Sequence, residues 1–179
     1  VALFIGGSWL KRQYREGSTD YDQALRWQGI GRYWLEERVG RLVSRDGGFS
    51  QYSVNYHRLL LDTLSLAEFW RRKENIDKFS RGYYDKVHAA LEWLGYMTDT
   101  TTGFAANIGA NDGARLLGLA EVHYRDVRPS LEFCSHIFFN RSYSDQRYSH
   151  EILDWLRVPT LVGWSDRLTA VSGSDLCIE

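Results

Sequence analysis

An all-α fold follows from three features of this 179-residue sequence. Apolar residues recur at three- and four-residue intervals over most of its length. Serine and glycine punctuate those runs where helices start and stop, and strand-like alternation is nearly absent. Helices of this length joined by short turns, without heptad regularity, predict antiparallel helical hairpins packed side by side. Bundles, solenoids and α/α toroids share that arrangement. Periodicity does not choose among them, and no repeat is legible in the residues.

The first helix is expected over residues 1 to about 15, apolar and softened by Gly6 and Gly7. It begins in the middle of an apolar face with no basic flank before it, so it reads as a truncated helix and not as a signal peptide. The chain is accordingly read as one partial domain, residues 1–179. Its apolar Leu3, Phe4 and Ile5 are expected to lie uncovered and to invite self-association. Gly17, Ser18, Thr19 and Asp20 form a turn with good N-capping residues. A second helix then runs to about residue 44, with Leu25, Trp27, Ile30, Trp34, Leu35, Val39 and Leu42 in helical phase. Arg45, Asp46, Gly47 and Gly48 end it, paired glycines supplying positive φ.

Ser53 is placed to cap a third helix, with Leu60, Leu64, Ala67 and Trp70 on one side. Its last turn carries Arg71, Arg72 and Lys73, read as a solvated end favoured by the helix dipole. Ser80 caps a fourth, with Tyr83, Val87, Ala90, Leu91 and Leu94 in phase. Residues 98–113 break all periodicity. Pro129 suits the first turn of another helix reaching Phe139. Ser149 caps a short last one that Pro159 stops, and residues 160–179 have no clear structural signal.

Composition narrows the function classes. Hydrophobic residues at 44% suffice for a core, and 25% charged residues with a net charge of −1 give no electrostatic case for nucleic acid or an anionic membrane. No stretch has the apolar length of a membrane span. The unusual figure is 15% aromatic, with 7 Trp and 11 Tyr, which fits a carbohydrate cleft and equally a bulky helix-packing core. Cys134 and Cys177 form no metal-ligand or redox spacing, and His88, His123, His136 and His150 are scattered, so neither a metal nor a cofactor is expected.

Two segments break the helical rhythm and are rich in polar residues and glycine, where binding and catalysis concentrate. In DGGFSQYSVNYHR (residues 46–58), Asn55, Tyr56 and His57 fall on the opening turn of a helix. Unpaired N–H groups and the positive dipole end favour a carboxylate or oxyanion there, and they favour a lowered phenol pKa for Tyr56. A Tyr and a His that merely hydrogen-bond the loop behind them explain the same residues. In NIGANDGARLL (residues 107–117), Arg115 is suited to clamp a carboxylate. An Asx-Gly turn with Asp112 as cap and Arg115 solvated fits equally well.

DGGFSQYSVNYHR resembles the Asp-Gly-x-x-x-Glu/Gln-x-Ser-x-x-Tyr-His segment in the helical domain of heparinase II/III-like polysaccharide lyases. NIGANDGARLL, followed by YRDVRPSLE (residues 124–132), is similar to a second segment of bacterial members. The resemblance spans the first helix to about Leu156 and is weakest after Pro159. It implies a fragment of an incomplete α/α toroid that is followed, in the full protein, by a β-sandwich. It implies an acidic, uronate-containing polysaccharide or oligosaccharide as partner, and a bacterial periplasmic or extracellular setting, with the cytoplasm left open.

The family's catalytic tyrosine maps onto Tyr56. Asn55, His57 and Gln51 are its expected orienting neighbours, and Asn111 and Arg115 the expected substrate contacts. Gln51 stands where many members have Glu. A lyase takes the C5 proton of a uronic acid once its carboxylate is neutralised and expels the 4-O-linked sugar, so Tyr56 is expected as base, acid or both. The resemblance implies that a neutralising Asn-His motif lies upstream of Val1 and a further His on the β-sandwich, so this piece alone is expected to be inactive. Two other readings remain. One is an inverting glycoside hydrolase using Asp46 and Asp112. The other is a non-catalytic glycan-binding or polysaccharide-assembly protein on the same scaffold.

Overall fold

The computed structural model describes residues 1–118, 120–143 and 151–158. The regular structure there is helical: α1 (Ala2–Lys11), α2 (Thr19–Leu42), α3 (Val54–Lys73), α4 (Arg81–Tyr96), α5 (Arg128–Phe139) and the short α6 (Glu151–Trp155). The expected Ser149 cap, the Pro159 stop and the tail 160–179 lie outside the described residues.

Three helices start on serine, Ser53 and Ser80 as the sequence predicts and Ser18 within the capping turn expected over residues 17–20. Ser18, Ser53 and Ser80 each sit in extended backbone and accept a hydrogen bond from the N–H three residues on, at Tyr21, Tyr56 and Tyr83. Pro129 occupies the first turn of α5, and Asn140 in the left-handed region ends that helix. Of the two glycines after α2, only Gly47 has positive φ, at 93°. A Cβ there would collide with the Ala89 carbonyl, so the turn lies flush on α4.

α1 and α2 pack antiparallel and very closely. Gly7 faces the backbone of Ala24 and Gln28, while Gly31 faces Leu3 and Phe4, and neither glycine leaves room for a methyl group. This closeness corrects the expected face of α2. Its buried stripe is Ala24, Gln28, Gly31, Leu35 and Val39. Leu25, Trp27, Ile30, Trp34 and Leu42 are exposed. Small side chains win the buried face because bulky ones would hold the helix backbones apart. Phe4 is likewise fully buried against Phe79, centroids 5.4 Å apart, and does not lie uncovered; of the three expected residues Leu3 is exposed.

α2 also lies along α4. Arg32 donates to the Asp77 carbonyl at 2.6 Å just before α4, and Lys86 donates to the Val43 carbonyl at 2.6 Å just after α2. α3 sits at the centre, in contact with α4 and α5. Leu61, Leu64 and Ala67 of α3 join Val87, Leu91 and Leu94 of α4 and Leu131, Phe133 and Ile137 of α5 in the core.

α3 buries polar residues as well: Arg58, Asp62, Ser65, Glu68 and Arg71. Glu68 is fully buried, and an unpaired carboxylate there would be costly. Arg71 meets it with two bonds of 2.7 and 2.9 Å, Arg72 with one of 3.0 Å, and the Tyr84 hydroxyl approaches to 3.2 Å. Arg71 is therefore turned inward to an ion pair, which corrects the solvated position expected for it, while Arg72 and Lys73 stay exposed at the end of the helix as expected. Cys134 is a buried free thiol whose pKa burial pushes up to about 12, which leaves it unreactive.

Candidate functional site

The two aperiodic segments, 46–58 and 107–117, meet at the start of α3. Backbone joins them first: the Val54 N–H donates to the Ile108 carbonyl at 3.1 Å. The Ser53 hydroxyl then works in two directions. It accepts the Tyr56 N–H as helix cap and donates to the Ala110 carbonyl at 2.5 Å. Gly109, at φ 78°, packs so tightly on Tyr52 and Ser53 that a Cβ would collide with the Tyr52 carbonyl. Arg58 clamps the same loop from inside α3. Its guanidinium donates to the carbonyls of Ala114, at 2.8 Å, and Tyr124, and to the Asn55 side chain at 2.8 Å.

This frame sets Tyr56 against Asp112. Tyr56, partly buried on the first turn of α3, donates through its exposed hydroxyl to Asp112 Oδ2 at 2.9 Å. Asn55 Nδ2 lies 3.3 Å from Asp112 Oδ1, so the carboxylate is held from both sides. The bond to Asp112 and then its charge raise the Tyr56 pKa above the usual phenol value. The Ala114 N–H, followed by the Tyr56 hydroxyl, holds the Asp112 carboxyl below the usual range. The expectation of a lowered phenol pKa is overturned: a carboxylate in hydrogen-bonding contact outweighs the diffuse helix dipole. At neutral pH Tyr56 is a phenol and Asp112 a carboxylate.

The remaining expected residues separate. His57 faces away from Tyr56. It is fully buried, its Nε2 is 2.8 Å from the Ala90 carbonyl, and its ring stacks on Trp93 at 4.6 Å. A carbonyl oxygen only accepts hydrogen bonds, so Nε2 carries the hydrogen, and burial lowers the pKa so that the ring stays neutral. It does not orient the phenol or meet substrate charge.

Arg115 also turns away. Its nitrogens lie 3.4 Å from the carbonyls of Val122 and Ala120, folding it onto its own loop. Asn111 is tied within its loop, donating to Asn107 and accepting from the Gly113 N–H. Gln51 is exposed on the turn before α3. Of the expected neighbours, Asn55 alone joins Tyr56 through a shared partner. Asp112 as the phenol's partner and Arg58 as the clamp escaped the sequence reading, because neither lies within helical reach of what it organises.

Compared with family models, curated proteins and solved structures, the chain matches none.

Proposed function

We propose that this chain carries the tyrosine-bearing part of a polysaccharide lyase site acting on a uronate-containing glycan. The observation that carries the reading is the Tyr56–Asp112 hydrogen bond, 2.9 Å long, made where the two segments of the heparinase II/III-like resemblance come together. A solvent-facing phenol fixed by a carboxylate at a polar helix start is within reach of a substrate and suited to proton transfer.

The protonation states favour one role. In β-elimination a base removes the C5 proton, a double bond forms between C4 and C5, and the C4–O bond breaks. The leaving oxygen then needs a proton. Tyr56, a phenol at neutral pH, is the donor to that oxygen: its single O–H turns from Asp112 to the leaving oxygen as the proton passes, and the tyrosinate left behind is reprotonated from solvent. Asn55 positions Asp112, and the base and the groups that neutralise the uronate carboxylate come from other parts of the full-length protein. In this reading the helices form part of an incomplete α/α toroid in a bacterial periplasmic or extracellular protein. The exposed apolar face of α2, including Trp27, Ile30 and Trp34, is a surface for association with further helices or a second copy.

The test is Tyr56→Phe in the full-length protein, assayed by ultraviolet absorbance of unsaturated products from uronate polymers. We expect a loss of at least about a hundredfold. Undiminished turnover would refute the assignment. Glycan binding with no turnover by the unmodified protein on any uronate polymer would favour the non-catalytic scaffold.

A further inference from the structure

A recess opens along the seam that seats Tyr56, on the side of Ser53 and Val54. It encloses about 600 Å³ and is bounded by the glycine-rich turn after α2, the start of α3 and the end of α4. That volume lies within the range of roughly 300–1,000 Å³ usual for small-molecule pockets. Ser53 and Val54, immediately before Tyr56 on the chain, line it together with Ile108, so the seam that seats the phenol is also a wall of this pocket.

The lining pairs apolar surface with hydrogen-bonding groups. Phe49 and Trp93 supply flat aromatic walls, Met97 adds a deformable one, and Ser50 and Asp46 stand exposed in the lining. Trp93 is not free to swing, because one face stacks on the buried His57 ring at an interplanar angle of 19°. His57 is in turn fixed by the Ala90 carbonyl, which gives this histidine a role: it is a positioning residue for the Trp93 wall. Asp46 is likewise oriented. Its Oδ1 accepts from the Ser44 hydroxyl and from the Gly48 N–H at 3.3 Å, which leaves Oδ2 to accept hydroxyl donors. The indole nitrogen of Trp93 lies beside Gly48 and brings an N–H donor to the same wall. Fixed aromatic walls next to an oriented carboxylate and an indole N–H match the C–H faces and hydroxyl rim of a pyranose.

We infer that this recess is a saccharide subsite which holds one pyranose ring of the glycan through its hydroxyls, with Phe49 and Trp93 as its apolar walls and Asp46 as its hydroxyl acceptor. Asp46 accepts the ring's hydroxyls, while Arg41, which also lines the recess, is the cation that a carboxylate on the bound sugar would meet. The inference rests on the glycan reading of the Tyr56 site but not on turnover there.

Binding separates the two. Oligoalginate and heparan-sulfate-derived tetrasaccharides are titrated calorimetrically into the full-length protein in a Tyr56→Phe background, so that no product forms. Asp46→Asn, at an exposed position where folding is not at risk, is expected to weaken affinity about tenfold. Ser50→Trp, which fills the mouth, is expected to abolish binding. Undiminished affinity in both variants, or no binding of either tetrasaccharide, overturns the subsite. Affinity lost with Asp112→Asn but kept with Asp46→Asn overturns it too, by placing the sugar at the phenol alone. A chain that binds with Asp46 dependence yet shows no turnover before the Tyr56 change loses the lyase reading and keeps the subsite.

Discussion

At the scale of single residues, neighbouring side chains decide what adjacent members of one motif do. Tyr56 and His57 are consecutive, yet the helical turn sends one to a carboxylate at the surface and the other into the core. Because Asp112 raises the phenol pKa, Asp112→Asn is expected to lower it. If the proposed lyase activity holds, the alkaline limb of its pH–rate profile, set by loss of the phenolic proton, should move to lower pH. A limb that stays in place would remove Tyr56 as the proton donor.

Asp62 offers a test independent of activity. Burial in α3 pushes its pKa up to about 6, against smaller opposing effects of a Ser130 hydrogen bond and the charges of Arg58 and Arg115. An acid whose folded pKa exceeds its unfolded value near 3.9 binds more protons when folded between roughly pH 4 and 6. Its ionisation therefore makes stability fall as pH rises through that window, by up to about 3 kcal/mol. Asp62→Asn should remove that slope from denaturant-derived unfolding free energies and leave the protein more stable at pH 7. Identical pH dependence in the two proteins would show that Asp62 ionises normally.

At the scale of elements, helix spacing is set by glycine. Gly31 lies on the α1-facing side of α2, where a Cβ would meet the Phe4 backbone, whereas a Cβ on Gly29 of the same helix meets open space. Gly31→Ala is expected to cost 1–3 kcal/mol or more by forcing the helices apart, roughly as overpacking does elsewhere. Gly29→Ala should stabilise by about 0.5–1 kcal/mol through helix propensity. Thermal melts of the two variants check this, and shifts of the same sign would contradict the packing described. The three serine caps were legible because a cap depends on residues within one turn. The buried face of α2 was not, since hydrophobicity favours Trp27, Ile30 and Trp34 while backbone proximity selects Ala24 and Gly31.

At the scale of the whole molecule, α3 is both the centre of the core and the floor of the site. The face carrying Leu61 and Leu64 packs on α4 and α5, Glu68 and Arg71 form the buried ion pair, and the N-terminal turn presents Tyr56. Long-range hydrogen bonds from Ser53, Val54 and Arg58 then bring in a loop more than 50 residues distant. Among the described residues no helix is long and apolar enough to cross a membrane.

The sequence by itself determined the helical class, the serine-marked starts of α2, α3 and α4, and the two aperiodic segments that supply the site, since each is written in neighbouring residues. Only the tertiary structure decided that those segments touch, that Asp112 keeps Tyr56 protonated, that His57 braces Trp93, and that Arg71 turns inward to Glu68. Each of these depends on a partner brought close by folding, and the energy of a hydrogen bond or ion pair is set by distance in space, which separation along the chain does not encode.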